Sequence, residues 1–252
     1  MCLIALAWRV HPAYPLIVAA NRDEFHERPT DSLAWWSDRL DIAGGRDRQA
    51  GGTWLAVSRT GRFATVTNYR ENLQVQRGEY SRGKLVSDFV GGDTPSLDYV
   101  TAIDGKRYAG FSLLTASPDA LAYVSNRGDV PRLLQPGLYG LSNASLDAPW
   151  CKILRSKKRL HTMLETDAVT VPSLFELLAD REPAGNTDMP DASLPHDKAR
   201  AVSAPFIVTP EFGTRCSTVM LLGKSGNVVL HERRFDAAGR MNGESALDFD
   251  IG

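Results

Sequence analysis

The chain has 252 residues, with 29 Lys+Arg against 30 Asp+Glu, so it lacks the bulk basicity that draws nucleic acid or an acidic membrane surface. No apolar stretch approaches the roughly 20 residues that span a bilayer, and the N-terminal apolar run is too short and lacks the basic flank of a signal peptide. Its three cysteines, Cys2, Cys151 and Cys216, sit far apart with no CxxC or HExxH pattern, which argues against a disulfide framework or a structural zinc and for a reducing, cytoplasmic compartment.

The first elements are two short apolar runs, Cys2–Trp8 and 16–20, which read as buried strands joined by the loop 9–15. The second discharges into Asn21-Arg22-Asp23-Glu24, and Arg28-Pro29 is expected to stop it. Trp35-Trp36 reads as two anchors in a polar loop. Gly44-Gly45 and Gly51-Gly52 suggest tight turns or a backbone approaching something closely, without the spacing of a phosphate loop. Segments 53–58 and 62–68 form a hairpin. Apolar residues at helical spacing follow over 84–90, then a helix over 97–103 capped by Ser96. A second hairpin pairs 111–115 with 120–124, and 138–141 is a short strand. The run 150–164 is helical, with Lys152, Arg155, Lys157, Lys158 and Arg159 as a solvated basic face. Ser173 should cap a helix over 174–180, and 181–200 is a long polar loop. Residues 207–208 form a weak strand, segments 217–222 and 227–235 close the core as a hairpin, and the tail beyond Asp236 is expected to be loosely attached. Hairpins in batches, with helices between the batches, indicate antiparallel sheets with helices on their outer faces. One domain, 1–252, accommodates them.

Two stretches carry candidate chemistry. Cys2 stands behind the initiator methionine. Its removal would leave a thiol and an α-amine on one residue, and an amine with a pKa of about 7.7–8.0 is a usable base. The bland reading is a buried cysteine in an apolar strand. Strand alternation puts Asn21 and Asp23 on one face and Arg22 and Glu24 on the other, so Asp23 and Arg22 are not both expected to face Cys2. A local ion-pair and turn cluster is the bland reading there.

Cys2, Ala-Asn-Arg-Asp-Glu-Phe at 20–25, Arg28-Pro29, Gly51-Gly52-Thr53-Trp54-Leu55 and Gly213-Thr214-Arg215 together resemble the NRDE family of transport-and-Golgi-organisation proteins. More distantly, the chain resembles N-terminal-nucleophile hydrolases of the choloylglycine hydrolase and penicillin acylase group. That resemblance implies an α+β fold, a four-layer αββα sandwich. It also implies a set of roles: Cys2 as nucleophile, Asp23 holding the amine, Asn68 and Asn143 as oxyanion donors, and Arg215 setting the local potential. The arginine those hydrolases carry three positions before the aspartate is Ala20 here. The family's association with haem handling and with acyl-coenzyme A or lipid metabolism implies a second reading, a binding or carrier protein. In it Asn21, Arg22, Glu24 and Arg28 contact ligand, and Arg22, Arg28 and Arg215 take propionate or phosphate. Haem is the candidate bound group; Cys2, His11, His26, His161, His196 and His231 are its candidate axial ligands, none with a ligand spacing. The hydrolase reading requires no cofactor. Under either reading the expected partner is a small-molecule or lipid-like ligand and not nucleic acid.

Overall fold

The computed structural model describes residues 2–70, 78–185 and 195–252. In chain order the elements are β1 (Cys2–Trp8), β2 (Leu16–Phe25), β3 (Thr30–Trp35), β4 (Ile42–Asp47), β5 (Leu55–Ser58), β6 (Phe63–Asn68), α1 (Arg82–Val90) and α2 (Ser96–Ala102). A 3-10 turn (Gly105–Arg107) leads to β7 (Phe111–Ala116), β8 (Leu121–Ser125), β9 (Arg132–Leu133), β10 (Gly137–Leu141), α3 (Cys151–Glu165), α4 (Val171–Leu178) and α5 (His196–Ala201). The chain ends in β11 (Phe212–Leu222), β12 (Asn227–Phe235) and β13 (Met241–Asp250).

The strands form two antiparallel sheets. One runs β10-β1-β2-β11-β12-β13 and the other β3-β4-β5-β6-β7-β8-β9. Alternation sorts the side chains of β1. Ile4, Leu6 and Trp8 join Val18, Leu55, Phe63, Tyr123 and Met220 in the core between the sheets. Ala5 and Ala7 face the other way, onto Leu160, Leu174 and Leu177 of α3 and α4. On the outer side of the second sheet, Ala64 and Leu113 pack on Leu85, Phe89 and Val100 of α1 and α2. The order helix, sheet, sheet, helix is the expected four-layer αββα sandwich.

Several boundaries differ from the sequence reading. β2 does not stop at Ala20 but continues to Phe25, so the Asn-Arg-Asp-Glu motif lies inside a strand paired with β11. Gly44-Gly45 is within β4, where a Cβ on Gly44 would lie 2.6 Å from the Leu55 carbonyl oxygen; close approach, not a turn, requires glycine there. The tail is not loose. β13 pairs with β12 from Asn227↔Asp250 onward, with Leu247 and Phe249 packed on the inner core. Ser173 is not the N-cap of α4. Thr170 is, and the two side chains bond reciprocally to each other's backbone N–H. Ser96 is the first residue of α2 rather than its cap. Trp36 is an anchor as expected, donating from Nε1 to the Gly44 carbonyl at 3.1 Å. Lys152 is not solvated but 1% exposed. Of the loop read over 181–200, residues 186–194 lie outside the described residues, as does Met1.

Candidate functional site

Register decides which motif residues meet. Cys2 pairs with Arg22, and Arg22 pairs on its other side with Cys216. Directly opposite residues on antiparallel strands project to the same face, so Arg22 lies beside Cys2 on the inner face. Alternation sends Asp23 to the opposite face, as expected, although both side chains reach the lining of one cavity. A bulge in β11 between Thr214 and Cys216 locally interrupts the pairing. Cys2, Arg22, Asp23, Glu24 and Arg28 all line one cavity of about 90 Å³, together with Asn68, Trp54 and the start of α1.

Arg22 is 5% exposed, and its guanidinium lies over the Trp54 ring at 4.4 Å. Its Nη2 stands 3.8 Å from Glu24 Oε2, while its buried Nη1 has no hydrogen-bond partner among the described residues. Arg28 forms the rim, donating from Nε and Nη2 to Asp47 Oδ2 at 2.9 and 2.6 Å. Ser81, Arg82 and Gly83, at the N-terminus of α1, complete the lining. Ser81 makes no side-chain capping bond, so the positive end of that helix is turned to the cavity without a cap. Gly52 and Gly83 let the chain before β5 cross this helix end, since a Cβ on Gly52 would lie 2.5 Å from the Gly83 carbonyl carbon.

Asp23 is 1% exposed and accepts from Thr214 Oγ1 at 2.7 Å. Burial raises its pKa against the opposing pull of Lys152 and Arg22. Burial also pushes the Cys2 thiol up, with the Asp23 backbone N–H and Arg22 pulling it down. Cys2 touches solvent only in part, and that desolvation outweighs its polar neighbours.

The other expected residues divide. Asn143 is at the site but holds backbone: Oδ1 accepts the Cys2 N–H at 3.4 Å and Nδ2 donates to the Asn68 carbonyl at 2.8 Å. The adjacent Ser142 donates to the Cys2 carbonyl at 2.7 Å, so the two residues that follow β10 clamp the start of β1. Asn21 does not reach the cavity. It projects to the helical side, donating from Nδ2 to the Leu178 and Pro205 carbonyls, both at 2.9 Å, and accepting from Ser217 Oγ. Arg215 is not in the cavity either. It sits at the β11 bulge, and its Nη1 donates to the carbonyls of Phe25 and His26 at 2.8 and 2.9 Å, holding the turn after β2. None of the five histidines lines the cavity. His26, for example, bonds the Thr209 carbonyl at 3.0 Å. Among the described residues no cluster of His, Cys, Asp and Glu is arranged to hold a metal. Lys152, whose pKa burial lowers against the pull of Asp23 and Cys2, was missed as a member of this region.

The profile of the family described as Transport and Golgi organisation 2 matches residues 1–237. The chain belongs to this family. It is 34% identical over 260 residues to the human Transport and Golgi organization protein 2 homolog, covering 92% of each chain. Among solved structures it resembles a C2A mutant of the conjugated bile acid hydrolase from Clostridium perfringens, with a TM-score of 0.58 at 8% identity over 99% of this chain and 92% of that one. It also resembles the Caenorhabditis elegans ortholog of N-acylethanolamine-hydrolyzing acid amidase, with a TM-score of 0.52 at 10% identity over 87% and 92%. These likenesses establish the N-terminal-nucleophile hydrolase fold. No helix among the described residues is long and apolar enough to cross a membrane.

Proposed function

We propose that the Cys2 cavity binds the anionic end of a small-molecule or lipid-type ligand, and that this Transport and Golgi organisation 2 family member acts as a carrier. One observation supports this above the others: a buried Arg22 Nη1 without a hydrogen-bond partner, in the cavity that receives the uncapped end of α1. A buried guanidinium N–H left unmatched is costly, and a carboxylate or phosphate oxygen would relieve it. The volume, about 90 Å³, suits such a group. It does not suit a tetrapyrrole ring, since cavities that enclose drug-sized ligands run to roughly 300–1,000 Å³. A haem could engage the cavity only through its propionates, and an acyl-coenzyme A through its phosphates, with ring or chain outside it.

The test uses Trp54 as reporter, because it lies against Arg22. Palmitoyl-coenzyme A, coenzyme A and haemin are titrated into wild type, Arg22→Gln and a Trp54→Phe control. Loss of one charged hydrogen-bonding partner is expected to weaken binding by about 10- to 100-fold. Equal affinity of wild type and Arg22→Gln for all three probes refutes the reading.

A second reading, amidohydrolysis of linear C–N bonds by Cys2, draws support from Cys2, Asp23 and Asn68 sharing the cavity. Two observations weigh against it: Ala20 in place of arginine, and Asn143 Nδ2 committed to the Asn68 carbonyl. Mass spectrometry of the mature N-terminus tests it together with a thiol-directed acylating probe. An intact Met1 with no labelling of Cys2 removes it.

A further inference from the structure

The inner face of the first sheet carries polar side chains beyond those of the Cys2 cavity. On β12, alternation turns Leu230, Glu232 and Arg234 to that face, and Leu230 belongs to the core between the sheets. Arg234 lies opposite Cys216 of β11. Glu232, Arg234 and Cys216 line a second cavity of about 250 Å³, with Trp54, Arg215 and Asp31 among its other walls. Trp54 is the partition it shares with the Cys2 cavity. The indole is fixed from two directions. Arg22 stacks on it at 4.4 Å, and Gly45 leaves it room, since a Cβ there would lie 2.3 Å from the ring.

Glu232 is the residue of this cavity that its surroundings explain least. It is 2% exposed, and its carboxylate reaches across to the other sheet, where Oε1 accepts the Leu33 N–H at 2.9 Å. Glutamine would accept that bond equally well without taking a charge out of water. Arg234 compensates the charge only in part. Its Nη1 stands 3.6 Å from Glu232 Oε1, beyond hydrogen-bond reach, and donates instead to Ser245 Oγ at 2.7 Å. Gly243 allows that placement, because a Cβ there would lie 2.3 Å from Arg234 Nη2. Both contacts of the carboxylate fall on Oε1, which leaves Oε2 to the cavity and the neighbouring Cys216 thiol. Arg215 offers the opposite charge. Its three hydrogen bonds all leave from Nη1, to the carbonyls of Phe25, His26 and Arg28, so Nε and Nη2 remain for an anion.

The charges of the cavity are therefore mixed. Glu232 lies at its buried end, Arg215 and Arg234 are only half-buried, and Asp31 faces Arg48 at 3.7 Å. A simple cation drawn to Glu232 meets two guanidinium groups, and a simple anion drawn to the arginines meets a carboxylate. A ligand bearing both signs satisfies all three, and the Trp54 face adds a cation–π surface for an ammonium. The volume lies just below the roughly 300 Å³ at which cavities for drug-sized ligands begin, which suits a small molecule.

We propose that this second cavity is a binding site for a small zwitterion, a free amino acid, with its ammonium on Glu232 and its carboxylate on Arg215 and Arg234. This goes beyond the carrier reading of the Cys2 cavity and does not depend on it. The full-length protein is titrated calorimetrically with L-alanine, L-leucine and L-glutamine. Ethylamine, which has only the ammonium, and propionate, which has only the carboxylate, are the controls. At least one amino acid is expected to saturate the protein with a Kd of about 1 mM or below, and each control to bind about tenfold more weakly or worse. Glu232→Gln, which keeps the bond to Leu33, and Arg234→Gln are each expected to weaken the amino acid about 10- to 100-fold. Arg28→Gln, at the rim of the Cys2 cavity alone, is expected to leave it within about twofold. The proposal is overturned by no saturation with any of the three amino acids. It is overturned equally by a control that binds as tightly as the amino acid, or by equal affinity in wild type, Glu232→Gln and Arg234→Gln. If Glu232→Gln does not fold, Arg234→Gln decides.

Discussion

Asn21 opens the motif that gives the family resemblance, yet its side chain projects away from the cavity and into the helical layer. Replacing it with alanine tests whether the motif's first residue serves the fold or the ligand. The substitution removes two bonds donated to the Leu178 and Pro205 carbonyls and one accepted from Ser217. Asn21 is 1% exposed, so little water replaces them. Net hydrogen bonds contribute about 0.5–1.5 kcal/mol each, and every buried polar group left unmatched costs about 1–3 kcal/mol. Three bonds at the net figure amount to about 1.5–4.5 kcal/mol, or roughly 3–18 °C in Tm for a chain of this size, with unmatched partners pushing towards the upper end. Urea unfolding followed by circular dichroism should show a lower midpoint with an unchanged slope. Asn21→Asp should be at least as damaging at neutral pH, because it turns a carboxylate towards two carbonyl oxygens. Its folded pKa would be raised, so stability should return as pH falls. A loss under about 1 kcal/mol for Asn21→Ala, with ligand binding abolished, would refute the assignment of Asn21 to the fold.

Three further outcomes follow from the same geometry. Gly52→Ala should cost about 1–3 kcal/mol by forcing the start of α1 away from the strand segment, because a Cβ there meets Gly83 backbone at 2.5 Å; an unchanged Tm would show that the crossing is loose. Glu232 is 2% exposed and burial raises its pKa above the ordinary 4.5, although its carboxylate accepts the Leu33 N–H at 2.9 Å. Its contribution is thus full below the ordinary value and lost as pH rises through the folded one, so Glu232→Gln should flatten the fall of stability with pH above 4.5, as read by Tm. Iodoacetamide should label Cys2 slowly at pH 7, at a rate that climbs with pH and does not level off below pH 8, while Cys216, more strongly raised by burial and Glu232, labels slower still. A Cys2 rate already level at pH 7 would contradict the raised thiol.

The sandwich was legible because its strands alternate and its turns carry their usual residues. The remaining features carry weaker local signals. β2 reads as ending at Ala20 because charged residues in a strand resemble its end; only the pairing with β11 buries Arg22 and Asp23. β13 has an alternation of its own, with Ser245, Leu247 and Phe249 turned inward, but as an edge strand it buries one face, and its polar outer face resembles a tail. By composition Lys152 groups with its basic neighbours. Helical spacing instead puts it in the row with Ser156 and Leu160, both buried, so periodicity held a signal that charge obscured. Among the site residues, Cys2, Asp23, Asn68 and Asn143 do converge. Arg215 does not, because the bulge that seats Thr214 against Asp23 sends its side chain to the turn after β2.

Strand parity then explains why one short motif serves two sides of a sheet. Residues facing the helices secure the scaffold: Asn21 ties β2 to the end of α4 and to the Pro205 carbonyl, and Asp23 ties it to β11 through Thr214. Arg22 faces inward, in a row that reads Cys2, Arg22, Cys216, Arg234 across four neighbouring strands. The two thiols are two strand spacings apart, about 9–10 Å between backbones, beyond the roughly 7 Å a disulfide can bridge without movement. The guanidinium between them therefore acts on both as a charge and draws down both thiol pKa values against burial. Trp54 covers it and also walls a second cavity of about 250 Å³ that includes Cys216 and Glu232. A change at Arg22 should thus reach both cavities, whereas a change at Asn21 should reach neither and act on the fold alone.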